Sequence, residues 1–159
     1  MNKAKLLKQI IATLEADHEL LLQAAKSSHA AATHEDNVPD SKYETLALEA
    51  SYIAQGQANR AQQVKQALVD YRQLQLQDFA ENTPIRLTAL VRLEDESGKQ
   101  RTLFLGPAAG GMRLNYGSDE VVIISPDSPI GEQLIGLRVG DDFVLEGAMA
   151  LEYEIIDVC

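Results

Sequence analysis

The chain has one cysteine, Cys159 at its end, and no tryptophan. A lone cysteine allows no intrachain disulfide, no cysteine zinc site and no CxxC redox pair, which suits a reducing compartment. Aromatic residues make up 5% of the 159 positions, a poor supply for an aromatic-walled ligand pocket. Positive charge is also scarce, with 14 Lys and Arg against 24 Asp and Glu and a formal net charge of -10. That balance argues against attraction of the whole molecule to bare nucleic acid or to an anionic membrane surface, and favours a basic protein partner. The imbalance is steepest late in the chain: residues 1–80 carry 8 basic and 10 acidic residues, residues 81–159 carry 6 and 14. No apolar run approaches the roughly 18 residues of a membrane span. The opening stretch turns acidic at Glu15 and Asp17 before a signal-peptide core could develop. A cytoplasmic protein without membrane contact is expected.

Residues 5–32 contain neither proline nor glycine, and Leu7, Ile10, Leu14, Leu21 and Ala24 recur at steps of three, four or seven. The spacing predicts a helix with one apolar seam. Asp17 falls on that seam beside His18, so packing there is weaker or open, and a solvated irregularity is the simplest account. A second helix is predicted over 41–77, where Leu46, Ala50, Ile53, Gln57, Ala61, Val64, Leu68 and Tyr71 keep the same period. Pro39 disfavours helix for Val38 before it. Ser41 and Glu44 form a capping-box pattern, with Asp40 an equally good N-cap. Two long helices joined by the short linker 33–39 must run antiparallel to bury their seams. At ~1.5 Å per residue, roughly 30 to 37 residues give a rod on the order of 45 to 55 Å, with the turn at its far tip. The small residues Ala24, Ala50, Gly56 and Ala61 permit a slender one.

After Asn82 and Pro84 the pattern changes to β. Strands are expected over 85–93, 101–105, 121–124, 143–146 and 151–156, with a turn at 94–99 between the first two. Ser128 followed by Pro129 predicts an N-cap and first helical position, opening a short helix to Leu134 or Ile135. The glycines of 105–111 match neither a P-loop nor a dinucleotide loop and read as a turn. The expected architecture is α+β: a helical coiled-coil hairpin over 1–80 with its tip at about 33–41, then a small β domain with a short helix over 81–159.

The stretch Ser128-Pro129-Ile130-Gly131-Glu132-Gln133-Leu134-Ile135-Gly136, followed by Gly140-Asp141, resembles the SP-I/L-x-x-x-L-I-G-x-x-x-G-D signature of the bacterial Gre transcription elongation factors. The order of hairpin and β domain resembles that family over nearly the whole chain, and implies an FKBP-like C-terminal domain. The Gre tip segment Gly-Asp-Leu-x-Glu-Asn-x-Glu-Tyr aligns on Tyr43, which puts Asp36 on the tip aspartate and Pro39 where the family has its tip glutamate. Asp40 and Glu35 place further carboxylates beside these positions.

The resemblance implies RNA polymerase core as partner, hairpin entry into the polymerase secondary channel, and modulation of elongation or of cleavage of backtracked RNA. It also implies RNA contact only inside the elongation complex, a working monomer and no catalytic centre in the chain itself. Hard Mg²⁺ takes oxygen ligands and keeps several waters, so one or two carboxylates can complete a site supplied mainly by a partner. Asp36 and Asp40 are thus the candidate ligands to an Mg²⁺ shared with the polymerase, with Glu35 as an added tip acid and no tightly bound cofactor. Ser128, Pro129, Ile130 and Leu134 are the candidate polymerase contacts in the second domain, and Ile130 and Leu134, with Ile135, also read as core. Beside the metal reading, Asp40 serves equally as a helix cap, Glu44 as the capping-box partner of Ser41 and His34 as a solvated loop histidine. The displaced tip glutamate keeps open a channel-binding inhibitor or regulator that does not stimulate cleavage. A prolyl isomerase and a hairpin used for oligomerisation are the rival classes.

Overall fold

The computed structural model describes residues 1–33 and 41–159. Its elements, in order, are α1 (Lys3–Thr33), α2 (Ser41–Gln73), β1 (Leu90–Asp95), β2 (Gln100–Leu105), β3 (Arg113–Tyr116), β4 (Asp119–Ile124), α3 (Pro129–Leu134), β5 (Asp142–Leu145) and β6 (Leu151–Val158). An α+β chain with an N-terminal helical hairpin and a C-terminal sheet is what the sequence predicts. Two compact units arise: Met1–Ile10 together with Asp70–Cys159, and Ile11–Val69.

Both helices form where the periodicity puts them, with differences in detail. On α1, Leu6, Ile10 and Leu14 are buried, and Leu7 is only half-buried. On α2, Ala54, Ala61, Val64, Ala67, Leu68 and Tyr71 are buried, whereas Leu46 and Ile53 are 52% and 55% exposed. Ala54 lies seven residues before Ala61, about 20° around an ideal helix, whereas Ile53, reached by two steps of four, lies about 80° away and turns off the buried face. Helix α2 also stops short of residue 77. The Gln77 N–H donates to Thr88 Oγ1 at 3.0 Å and its carbonyl accepts from Lys3 Nζ. Those partners replace the helical ones and draw the chain out past Gln73. Since Lys3 opens α1 and Gln77 follows α2, the two helices run antiparallel.

The sheet has six strands in the order β3-β4-β2-β1-β6-β5. All pairings are antiparallel except β2 with β4. A parallel pair needs a crossover, and the chain between them supplies it through β3, a strand the hydrophobic pattern does not announce. Only Leu114 of its four residues is buried. The first predicted strand starts late, because residues 85–89 are not extended: Thr88 takes a φ of 74°, uncommon for a β-branched residue. Its N–H donates to the Leu105 carbonyl at 2.9 Å while its hydroxyl accepts from Gln77. The 95–99 turn follows expectation. Asp95 Oδ1 accepts from the N–H groups of Ser97 and Lys99 at 2.9 and 3.0 Å and from the Ser97 hydroxyl at 2.6 Å, and Gly98 has a φ of 80°.

One core cluster unites Val91, Leu93, Leu103, Leu105, Phe143, Tyr153 and Ile155 from the sheet with Leu134 of α3 and with Ile85 and Ala89. Removing each of the Val, Leu, Ile and Phe side chains from water contributes on the order of 1.5–3 kcal/mol. Phe143 and Tyr153 stack with ring centroids 5.6 Å apart. Tyr71, at the end of α2, is fully buried and donates its hydroxyl to the Ala108 carbonyl at 2.7 Å. Gly106 makes room for it, since a Cβ there would lie 2.0 Å from the Tyr71 hydroxyl oxygen.

Candidate functional site

The 128–141 segment is built as a short helix locked at both ends. Ser128 Oγ accepts from the Gly131 N–H at 3.1 Å and donates to the Ser125 carbonyl at 2.6 Å, so one hydroxyl caps the helix and ties it to the loop before it. Pro129 occupies the first turn, where its missing N–H costs nothing. A Cβ on Gly131 would lie 2.1 Å from the Ser125 carbonyl oxygen, which leaves glycine as the residue that fits. Past the helix, Gly136 and Gly140 have φ of 89° and 86°. Their N–H groups donate to the carbonyls of Ile85 at 2.9 Å and Ile155 at 2.8 Å. Asp141 accepts from the Arg138 N–H at 2.7 Å. Nearly every recurring position of the segment thus has a structural task.

This construction sorts the four candidate contacts. Pro129 is exposed and Ile130 half-buried, so both present surface. Ser128 spends its hydroxyl on the cap. Leu134 is fully buried in the core, which agrees with the core reading of that position rather than with a contact at the surface.

Helix α3 is too short to cover the whole sheet face. Beside it lies a groove of about 550 Å³ lined by Leu103, Val122, Ile124, Ile130 and Leu145, with Lys99, Arg101 and Arg113 also on its wall. Arg113 Nη1 lies 3.2 Å from Glu120, and Arg92, also at the groove, lies 3.2 Å from Asp119. The Arg101 guanidinium sits 5.8 Å from the centre of the Tyr153 ring. Most basic residues of an acidic half thus gather at one aliphatic groove. The strand alternation carried a signal for it, since Arg101 shares a sheet face with Leu103 and Leu105; the contribution of Arg113 came with the unpredicted β3. The lining is aliphatic and charged, with no aromatic residue in it, which removes support from an isomerase pocket.

The tip acids Glu35, Asp36 and Asp40, and with them the two candidate Mg²⁺ ligands, lie outside the described residues. Among the described residues no group of three or more His, Cys, Asp or Glu side chains gathers as a metal site. No helix among them is long and apolar enough to cross a membrane.

The family described as "Transcription elongation factor, GreA/GreB, C-term" matches residues 80–159, half of the chain. No curated protein matches it. Among solved structures, Gfh1 (GreA factor homolog 1) of Thermus thermophilus is similar at 24% identity, covering 96% of this chain and 94% of that one with a TM-score of 0.41. Gfh1 of Thermus aquaticus is similar at 24% identity over 95% and 92% of the two chains, with a TM-score of 0.39. A GreA/GreB elongation factor of Nitrosomonas europaea is similar at 22% identity over 60% and 78%, with a TM-score of 0.37. Similarity at that level carries no argument of its own. On the match across its C-terminal half, the chain belongs to the GreA/GreB family of transcription elongation factors.

Proposed function

We propose that this chain binds bacterial RNA polymerase core, inserts its helical hairpin into the secondary channel and modulates elongation or the cleavage of backtracked RNA. The observation that carries the reading is a GreA/GreB C-terminal domain preceded by two long helices that run antiparallel. In this reading the polymerase owns the catalytic centre and the chain contributes carboxylates at the tip. An Mg²⁺ held mainly by the polymerase would there serve to activate water. Asp36, with Asp40 or Glu35, provides oxygen ligands of the kind that ion accepts. The β domain docks outside the channel through Pro129, Ile130 and the neighbouring groove, where basic side chains suit an acidic stretch of the partner.

Pro39 favours a second reading. It stands where the family motif has its tip glutamate. Asp40, one residue on, displaces a carboxylate by several ångströms, too far for a site that tolerates well under an ångström. The chain then occupies the channel as an inhibitor or regulator without stimulating cleavage.

Capture of polymerase core by the chain and by an Asp36→Ala, Asp40→Ala double variant, followed by RNA cleavage in backtracked complexes, separates these. Binding by both with cleavage by the parent alone supports the cleavage reading. Binding without cleavage by either supports the regulator. A chain that captures no polymerase sinks both.

A further inference from the structure

The period that predicts α2 runs to residue 77, yet the helix ends at Gln73. No proline or glycine lies between Gly56 and Pro84 to stop it. A clasp of side-chain bonds stops it instead. The Gln77 N–H donates to Thr88 Oγ1 at 3.0 Å, the Gln77 carbonyl accepts from Lys3 Nζ, and Lys3 Nζ also donates to the Thr88 carbonyl at 3.2 Å. The Lys3 ammonium lies 4.6 Å from the centre of the Phe79 ring.

Two backbone segments depend on this clasp. Thr88 keeps its φ of 74°, a left-handed conformation that β-branched residues hold only under constraint. In the link after α2, the N–H groups of Gln75 and Leu76 have no partner among the described residues. The Leu74 N–H reaches back only to the Tyr71 carbonyl, at 3.3 Å, in the tightened step of a helix end.

The sequence of the link suits two conformations. Leu74-Gln75-Leu76-Gln77 alternates, and in the extended chain both leucines are half-buried and both glutamines exposed. The same residues are good helix formers. One more turn would offer the N–H groups of Gln75, Leu76 and Gln77 the carbonyls of Tyr71, Arg72 and Gln73. We propose that residues 74–77 are a two-state link, extended while Lys3 and Thr88 hold Gln77 and an added turn of α2 when they release it. Four residues span ~13 Å extended and ~6 Å as helix, so release shortens the link by roughly 7 Å and lets Thr88 return to negative φ. The input is the Lys3 ammonium, which binds neutral carbonyls and has no ion pair among the described residues. Removing its charge opens the clasp. Neither state of the link presupposes the function proposed above.

Hydrogen exchange of backbone amides, read by NMR on the full chain, tests the switch. In the parent, the Gln75 and Leu76 amides should exchange freely and the Gln77 amide should be protected. With Lys3→Met and Thr88→Ala together, exchange at Gln75 and Leu76 should slow about tenfold, as for a turn formed about nine-tenths of the time. The Cα shifts of 74–77 should move to helical values. Thr88→Ser, which keeps the hydroxyl, should behave as the parent. Adding Gln75→Pro to the double variant should abolish the protection of Leu76, since proline there bars the helix. Amides of β1 and β2 should stay protected throughout. Parent amides at 75 and 76 as protected as those of 70–73, a double variant without slowing, or protection at Leu76 that survives Gln75→Pro overturns the proposal. Loss of protection in β1 and β2 of the double variant also overturns it, because the clasp would then belong to the fold itself.

Discussion

At the scale of single residues, Tyr71 shows how a seam position acquires a second task. Its spacing with Val64 and Leu68 marks it for burial, and it is buried. Its hydroxyl bond to Ala108 and the glycine at 106 that admits it depend on a chain segment 37 residues away, which no local pattern reports. Burial pushes the Tyr71 hydroxyl pKa well above the usual tyrosine range. A folded-state pKa above the unfolded value of about 10 contributes stability that is present below that pH and lost as pH rises toward the folded value. Tyr71→Phe should therefore be about 1 kcal/mol less stable at neutral pH through the lost hydrogen bond. It should also lack part of the alkaline loss, so that denaturant unfolding at pH 7 and pH 11 shows the gap between parent and variant narrowing. Leu134 makes the complementary point: its signature position left a contact and a core role open, and its full burial is a packing role.

Among the elements, the helices and α3 were readable because their causes are local: period, cap, proline at the first turn. Ala54, Ala61 and Ala67 of α2 are all buried, so a longer side chain at any of them must displace its neighbours. Ala61→Leu is expected to destabilise the hairpin by about 1–3 kcal/mol through overpacking. A lowered midpoint in thermal unfolding followed by helical circular dichroism would check this, and an unchanged midpoint would show that the seam is loosely packed there. Strand β3 and the 85–89 segment escaped the sequence for a common reason. An edge strand of four residues with one buried side chain has almost no pattern, and the turn at Thr88 is held by partners from Gln77 and Leu105 rather than by its neighbours in sequence.

For the whole molecule, the net charge of -10 has a direct consequence. At about 150 mM salt the chain should show no measurable retention on duplex DNA, because neutralising phosphates is what drives such binding; a shift in a gel at micromolar protein would contradict it. The basic groove on the β domain does not reverse this, since Arg92 and Arg113 are already paired with acids. By itself the sequence determined the fold class, the order of hairpin and β domain, the capped helix at 128–134 and the family. All of these rest on periodicity, turn chemistry and a motif written in consecutive residues. Only the tertiary structure decided that Lys99, Arg101 and Arg113 meet at one groove and that Thr88 is held between Gln77 and Leu105. Those juxtapositions join residues far apart in the chain, and their positions follow from sheet register and helix rotation, which are set by packing the whole chain at once.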